Sequence, residues 1–117
     1  MGNSGACPSC AEQVAGSEFI TRLNAGDETP GRIAYTQITT RYDEIVTPFD
    51  SAFLRPDDGR VTNVLVQDRC PADAFEHILF AYDPVAVQWV LNALTTPGPA
   101  NPGFRPDCTG LGLLAPR

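Results

Sequence analysis

The sequence has no long apolar run, no cluster of basic residues and no basic or apolar leader at its start. No segment approaches the roughly 20 consecutive apolar residues of a membrane span, so we expect no transmembrane segment. The net charge of −6 argues against nucleic acid as a partner, because phosphate recognition needs clustered Lys and Arg. Residues 1–6 do not have the pattern of a signal peptide.

Residues that most often do chemistry are also few: the chain of 117 residues has one histidine and four cysteines. A chain of this length forms one domain at most, and its hydrophobic fraction of 43% can support a core. The 11 prolines and 10 glycines indicate long loops and sharp turns. They do not indicate disorder, because aromatic and β-branched residues are plentiful.

The hydrophobic pattern predicts the order helix, strand, strand, helix. An apolar stripe at helical spacing favours a helix over residues 11–23. Runs of β-branched and apolar residues predict strands at 32–39 and 61–68. Asp83 and Pro84 begin a second helix, whose residues 85–94 are apolar nearly all round and are therefore expected to be buried. The remaining segments are predicted as loops and turns, at 24–31, 50–60, 69–76 and 95–106.

Two residues stand where the predicted strands give way to loops. Asp43 follows the first strand, and His77, the only histidine, follows the second. Catalytic groups are common at such places, and an acid followed by a histidine is the second half of a Ser…Asp…His order. Asp43 could equally be a loop acid that caps a turn, with Glu44 and Asp50 as rivals, and His77 could be an ordinary surface or core residue.

Residues 40–48, with Asp-Glu-Ile-Val-Thr-Pro at their centre, resemble the acid loop of secreted bacterial triacylglycerol lipases and, more distantly, that of the fungal lipase-B type. The likeness extends over most of the chain, through residues 13–19, 23–30, 64–71, 77 and 81–86. The resemblance implies an α/β fold, with residues 1–117 as one partial α/β-hydrolase domain. This C-terminal half would contain the last two parallel strands of an incomplete sheet and their flanking helices. The earlier half, which carries the serine nucleophile in the family, would be absent.

The same resemblance implies a serine lipase or esterase that hydrolyses carboxylic esters, such as acylglycerols, without a metal or organic cofactor. Asp43 would be the triad acid, and His77 would be the base that takes the serine proton and returns it to the leaving alcohol. The family is secreted, so the resemblance implies an extracellular protein. Four apolar residues flank Asp43 and His77, and they either line an acyl pocket or pack in the core: Ile45, Val46, Ile78 and Leu79.

No serine lies in the Gly-x-Ser-x-Gly signature of a nucleophile elbow. The nearest imitation, around Ser4, lacks the closing glycine and a preceding strand, and Ser9, Ser17 and Ser51 match no better. Oxyanion-hole donors are likewise missing. We therefore expect the chain to be inactive alone. We also expect it to depend on the missing half or to self-associate, because its sheet edges and apolar helix face lack cover.

The four cysteines allow three interpretations. Cys7 and Cys10, which have two residues between them and precede a helix, resemble a thioredoxin-type redox motif, but no strand leads into them. A zinc site would add Cys70 and Cys108, which are not a second close pair. The even count favours two disulfides. The lipase resemblance implies that Cys70 pairs with Cys108 and that Cys7 pairs with Cys10. The first bridge would fix a Pro-rich tail that we expect to have few other contacts.

Two other classes of function therefore stand beside the hydrolase. One is a truncated, non-catalytic chain that acts only with another chain. The other is a small thiol-disulfide oxidoreductase based on Cys7 and Cys10. An ester-hydrolysis assay and an insulin-reduction assay distinguish these classes.

Overall fold

The computed structural model describes residues 7–55 and 59–110. The chain divides into two compact units, Met1–Pro30 and Gly31–Arg117. Part of the predicted turn at 50–60, and Ser4 with the residues around it, lie outside the described residues. Within the described ranges, no helix is long and apolar enough to cross a bilayer.

The first unit contains two short helices, α1 (Pro8–Glu12) and α2 (Glu18–Leu23). The prediction of one helix over residues 11–23 is therefore wrong. Gly16, between the two, has a φ of 81°, a left-handed conformation that glycine adopts at no steric cost and that cannot continue a helix. Ser17 then begins α2, because its Oγ accepts a hydrogen bond from Ile20 N–H at 3.1 Å.

The second unit contains two parallel strands, β1 (Tyr35–Thr39) and β2 (Val61–Leu65), paired along their whole length. Both are shorter than the predicted strands at 32–39 and 61–68. Beyond β2, backbone N–H groups from the next turn bond to the carbonyl of Val66 and close a 3₁₀ helix, Val66–Asp68, in place of further sheet. A small parallel sheet with flanking helices is consistent with part of an α/β fold.

The last helix, α3 (Pro84–Thr95), begins as predicted. Asp83 Oδ1 accepts a hydrogen bond from Val85 N–H at 2.8 Å, and Pro84 occupies the first turn. The prediction that this helix is buried all round is wrong, because the described elements cover only one of its faces. Val85, Ala86 and Trp89 are buried, whereas the exposed side chains are Val87, Val90, Leu91 and Leu94.

The core of the second unit lies between β2, α3 and the C-terminal tail (residues 96–110). Its buried members are Val64, Val66, Cys70, Val85, Ala86, Trp89 and Ala100. Phe104 of the tail packs edge to face on Trp89, with ring centroids 5.0 Å apart. The tail is therefore part of the core.

A disulfide joins Cys70 to Cys108, with Cα atoms 5.5 Å apart. The expectation that little else holds the tail is wrong. Thr62 Oγ1 donates to the carbonyl of Ala100 at 2.8 Å, and the Ala100 N–H donates to Thr36 Oγ1 at 2.9 Å. Prolines remove donors from the tail, but both backbone groups of Ala100 are bonded by threonine side chains, one on each strand.

Asp73 and Asp83 form a fully buried pair of carboxyl groups between the loop after β2 and α3. Phe75 N–H donates to Asp73 Oδ1 at 3.1 Å, and Val85 N–H donates to Asp83 Oδ1. The two Oδ2 atoms have no hydrogen-bond partner among the described residues. Burial raises the pKa of Asp83 to about 6; the bond from Val85 opposes this rise, and the charge on Asp73 adds to it.

Because the pKa of Asp83 is raised, we predict that the free energy of unfolding falls as the pH rises from about 4 to about 6. Between the unfolded pKa of 3.8 and about pH 6, the folded chain holds a proton that the unfolded chain has released. The stabilisation is fully present below that window and is lost above it, and a shift of about two units corresponds to at most about 3 kcal/mol. Asp83→Asn keeps the helix cap and can donate to Asp73, so it should remove this dependence.

Urea unfolding gives the free energy of unfolding of wild type and of Asp83→Asn at pH 4.5 and at pH 7. The difference between the two proteins at each pH cancels the contributions of the other titrating groups. We expect wild type to lose more stability than Asp83→Asn between the two pH values. The exposed Asp50→Asn is the matched control and should behave as wild type. Equal losses in wild type and Asp83→Asn would contradict the raised pKa of Asp83.

Candidate active site

The acid loop (residues 40–48) follows β1 and holds the carboxylate of Asp43 in place through its own backbone. Asp43 Oδ1 accepts hydrogen bonds from Ile45 N–H at 2.9 Å and from Val46 N–H at 2.7 Å. Short polar side chains commonly bond the backbone two or three residues onward in this way. The loop therefore orients Asp43 whether or not another residue contacts it.

The histidine loop (residues 73–79) follows the 3₁₀ helix after β2. The carboxylate of Glu76 accepts hydrogen bonds from Ile78 N–H at 2.7 Å and from Leu79 N–H at 3.2 Å. His77 N–H donates to Glu44 of the acid loop at 3.4 Å. His77 thus lies at the start of a turn that Glu76 caps.

The structure brings Asp43 and His77 together. His77 Nδ1 lies 3.0 Å from both carboxylate oxygens of Asp43. The side chains are 17% exposed for Asp43 and 39% exposed for His77, so the pair lies at the surface of the unit. No described residue is hydrogen-bonded to the other ring nitrogen, Nε2. The predicted hydrogen-bonding contact between acid and base is therefore present, and it leaves Nε2 available to a third group.

The pKa shifts of Asp43 and His77 both indicate that the carboxylate favours the charged form of the imidazole. Burial raises the pKa of Asp43, but hydrogen bonds from His77 and from the backbone of Val46 and Ile45 outweigh it, and the pKa lies below its usual value. The hydrogen bond to Asp43 raises the pKa of His77 above its usual value, against a smaller opposing effect of burial. The pair can therefore stabilise a proton that arrives at Nε2.

The four apolar residues that flank the pair are exposed and are not part of the core of the described residues. Their exposed fractions are 46% for Ile45, 38% for Val46, 74% for Ile78 and 41% for Leu79. Large apolar side chains grouped at a surface commonly mark a binding site. Their role in binding an acyl chain stays a prediction.

Two buried polar residues near the site were not identified from the sequence. Gln67 Oε1 accepts a hydrogen bond from Arg41 N–H at 3.0 Å, and its Nε2 donates to Thr40 Oγ1 at 2.9 Å and to the carbonyl of Asp73 at 3.1 Å. Thr40 Oγ1 donates to the carbonyl of Phe75 at 2.8 Å. The only signal in the sequence is one glutamine directly after the apolar run 64–66.

The cysteines are all paired, Cys7 with Cys10 and Cys70 with Cys108. The zinc alternative is wrong, because the sulfurs it requires are used in disulfides. Among the described residues, no other group of three or more His, Cys, Asp or Glu is arranged to hold a metal ion. Cys7 also caps α1, a helix of only five residues.

None of the three serines in the described residues is hydrogen-bonded to His77. In the first unit, Ser9 contacts Cys7 Sγ, and Ser17 caps α2. In the second unit, Ser51 lies in the 3₁₀ helix Phe49–Ala52 and makes no hydrogen bond to His77.

The chain matches no protein-family model and no curated protein sequence. Its structure is similar to the crystal structure of Aspergillus fumigatus lipase B, with a TM-score of 0.72 and 30% sequence identity. The match covers 81% of this chain and 25% of the lipase B chain. The chain therefore has a lipase-like fold of the α/β-hydrolase kind and spans about a quarter of that enzyme's length. The resemblance to bacterial triacylglycerol lipases stays a prediction.

Proposed function

We propose that this chain supplies the acid and the base of a Ser-His-Asp site in a carboxylic ester hydrolase that acts on acylglycerols. The observation that carries the proposal is the contact of 3.0 Å between His77 Nδ1 and Asp43, with Nε2 left unbonded by the described residues. Similarity to a lipase structure supports the class of reaction.

In the proposed mechanism, the Asp43 carboxylate holds the proton of His77 on Nδ1. That tautomer presents Nε2 as the base, which takes the proton of a serine hydroxyl as the serine attacks the ester carbonyl. Asp43 stabilises the imidazolium that forms, and His77 then returns the proton to the leaving alcohol. This route needs no metal or organic cofactor. The exposed apolar residues of the two loops would contact the acyl chain.

The serine and the oxyanion donors would come from outside the part described here. We place the chain as the C-terminal portion of the domain, because the acid and base follow the nucleophile in the Ser…Asp…His order. The partner is either an earlier part of the same protein or a separate chain. Two disulfides and a lipase neighbour weakly favour an extracellular location.

A chimera tests the proposal directly. Residues 31–110 of this chain replace the matched segment of A. fumigatus lipase B, and the remainder of lipase B provides the serine that the resemblance implies. We expect the chimera to hydrolyse nitrophenyl butyrate and an emulsified triacylglycerol, because it would unite the acid, the base and the nucleophile.

The control is lipase B from which the same segment has been removed, and circular dichroism establishes that the chimera is folded. A folded chimera that contains the Asp43–His77 contact but hydrolyses no ester would contradict the proposal. Activity no higher than that of lipase B without the segment would also contradict the proposal.

A further inference from the structure

The Asp43–His77 pair is carried by two loops that follow different strands. The direct bonds between these loops at the pair are exposed: the imidazole–carboxylate contact, and a bond of 3.4 Å from His77 N–H to Glu44. Exposed bonds of this kind compete with water and hold geometry weakly. The spacing of the loops must therefore depend on contacts elsewhere.

A buried network beneath the pair joins the same two loops. Gln67 and Thr40 are 3% and 1% exposed. The amide of Gln67 uses its acceptor and both donors, bonding Arg41 and Thr40 of the acid loop and Asp73 of the histidine loop. The Thr40 hydroxyl also donates to the histidine loop, at the carbonyl of Phe75. Water cannot replace these bonds without entering the core.

We infer that Gln67 and Thr40 are positioning residues, which tie the acid loop to the histidine loop and so hold Asp43 against His77. Neither side chain contacts the reacting pair. They act through Arg41 and Phe75, whose bonded backbone groups each lie two residues before a member of the pair. The inference deepens the proposed function and rests on it, because it concerns the same site.

Replacing Gln67 by methionine tests this role, because methionine has a similar length and no amide. The Thr40 hydroxyl keeps its bond to the Phe75 carbonyl, but the variant leaves Arg41 N–H and the Asp73 carbonyl without their partner. Those groups would move toward water, and the two loops would separate. We expect the distance from Asp43 to His77 to increase while the disulfide and the apolar core keep the unit folded.

The readout is the pKa of His77, measured by proton NMR on the purified chain. The chain has one histidine, so the imidazole signals are unambiguous, and no catalytic activity is required. The hydrogen bond to Asp43 holds this pKa above its usual value. Asp43→Asn defines the value without the carboxylate. We expect Gln67→Met to lower the pKa by at least half of the difference between wild type and Asp43→Asn.

Gln88→Met is the matched control. Gln88 also makes three amide hydrogen bonds that join two segments: to the Pro84 carbonyl, and to and from the backbone of Asp107. It lies on α3 and has no bond to either loop. A general effect of losing three amide hydrogen bonds would appear in both glutamine variants, whereas only Gln67→Met should change the pKa of His77.

Thr40 provides a second, conservative pair of variants in case Gln67→Met does not fold. Thr40→Val keeps the shape and removes the hydroxyl, so it should lower the pKa of His77. Thr40→Ser keeps the hydroxyl and should retain the wild-type pKa.

The outcomes separate this inference from the proposed function. If Asp43→Asn lowers the pKa of His77 but Gln67→Met and Thr40→Val leave it at the wild-type value, the positioning role is wrong and the proposed pair stands. If Asp43→Asn also has no effect, the pair itself is absent in solution and both are overturned.

Discussion

Replacing His77 by alanine in the lipase B chimera is expected to lower kcat by about 10⁶-fold, and Asp43→Asn by about 10⁴-fold. Without His77, nothing takes the serine proton or returns it to the alcohol. Without the Asp43 carboxylate, the imidazole remains but loses the acceptor 3.0 Å from Nδ1 that selects its tautomer. Initial rates of nitrophenyl butyrate hydrolysis, normalised to titrated active sites, give both ratios.

Two nearby acids provide matched controls for Asp43. Glu44 bonds only the backbone N–H of His77, and Asp50 lies in the 3₁₀ helix Phe49–Ala52. Glu44→Gln keeps a side-chain oxygen that can accept from the His77 N–H, and Asp50 makes no hydrogen bond to His77. Both variants should therefore change kcat by less than about tenfold. If either variant costs as much as Asp43→Asn, the acid has been assigned to the wrong residue.

The isolated chain is the negative control for the same assay. It should hydrolyse nitrophenyl esters no faster than its own His77→Ala variant, because no serine of the described residues lies on a recognisable nucleophile elbow. Ser4 is outside those residues, so Ser4→Ala is included. Turnover that disappears in both Ser4→Ala and His77→Ala would show that this chain contains a complete site.

Removing the Cys70–Cys108 disulfide is expected to lower the free energy of unfolding by roughly 4 kcal/mol in the chain-entropy model. The bridge closes a loop with a sequence separation of 38, and Cys70 is 1% exposed within the core. Cys70→Ala with Cys108→Ala therefore releases a long loop in the unfolded chain. Urea unfolding followed by tryptophan fluorescence measures the loss, because Trp89 is the single tryptophan and lies in the same core.

The other disulfide is the control for this measurement. The Cys7–Cys10 bridge has a sequence separation of only 3 and belongs to the first unit. Cys7→Ala with Cys10→Ala should therefore leave the unfolding reported by Trp89 unchanged. If the variant without the Cys70–Cys108 bridge loses less than about 1 kcal/mol of unfolding free energy, the tail is held in place by its hydrogen bonds and not by the bridge.

Local signals in the sequence predicted the elements whose causes are local. Asp83 and Pro84 begin α3 through capping and a fixed backbone angle, which need no distant partner. Asp43 and His77 each follow a predicted strand, and parallel strands bring their ends to one edge of a sheet. The lipase resemblance distinguishes Asp43 from its rivals Glu44 and Asp50. The prediction of a single helix failed at Gly16. The apolar stripe favoured one continuous helix, but the positive φ of Gly16 and the cap at Ser17 divide it into two.

Only the tertiary structure decided which polar residues are buried together. Gln67 and Asp73 look like ordinary polar residues in the sequence, and nothing there shows that the glutamine amide spans two loops or that Asp73 meets Asp83. Burial is also decided at this level: α3 is apolar nearly all round, yet one face is exposed because the described elements cover only the other. Capping and strand order depend on neighbouring residues, which the sequence displays, whereas burial and side-chain networks depend on what packs from elsewhere in the chain.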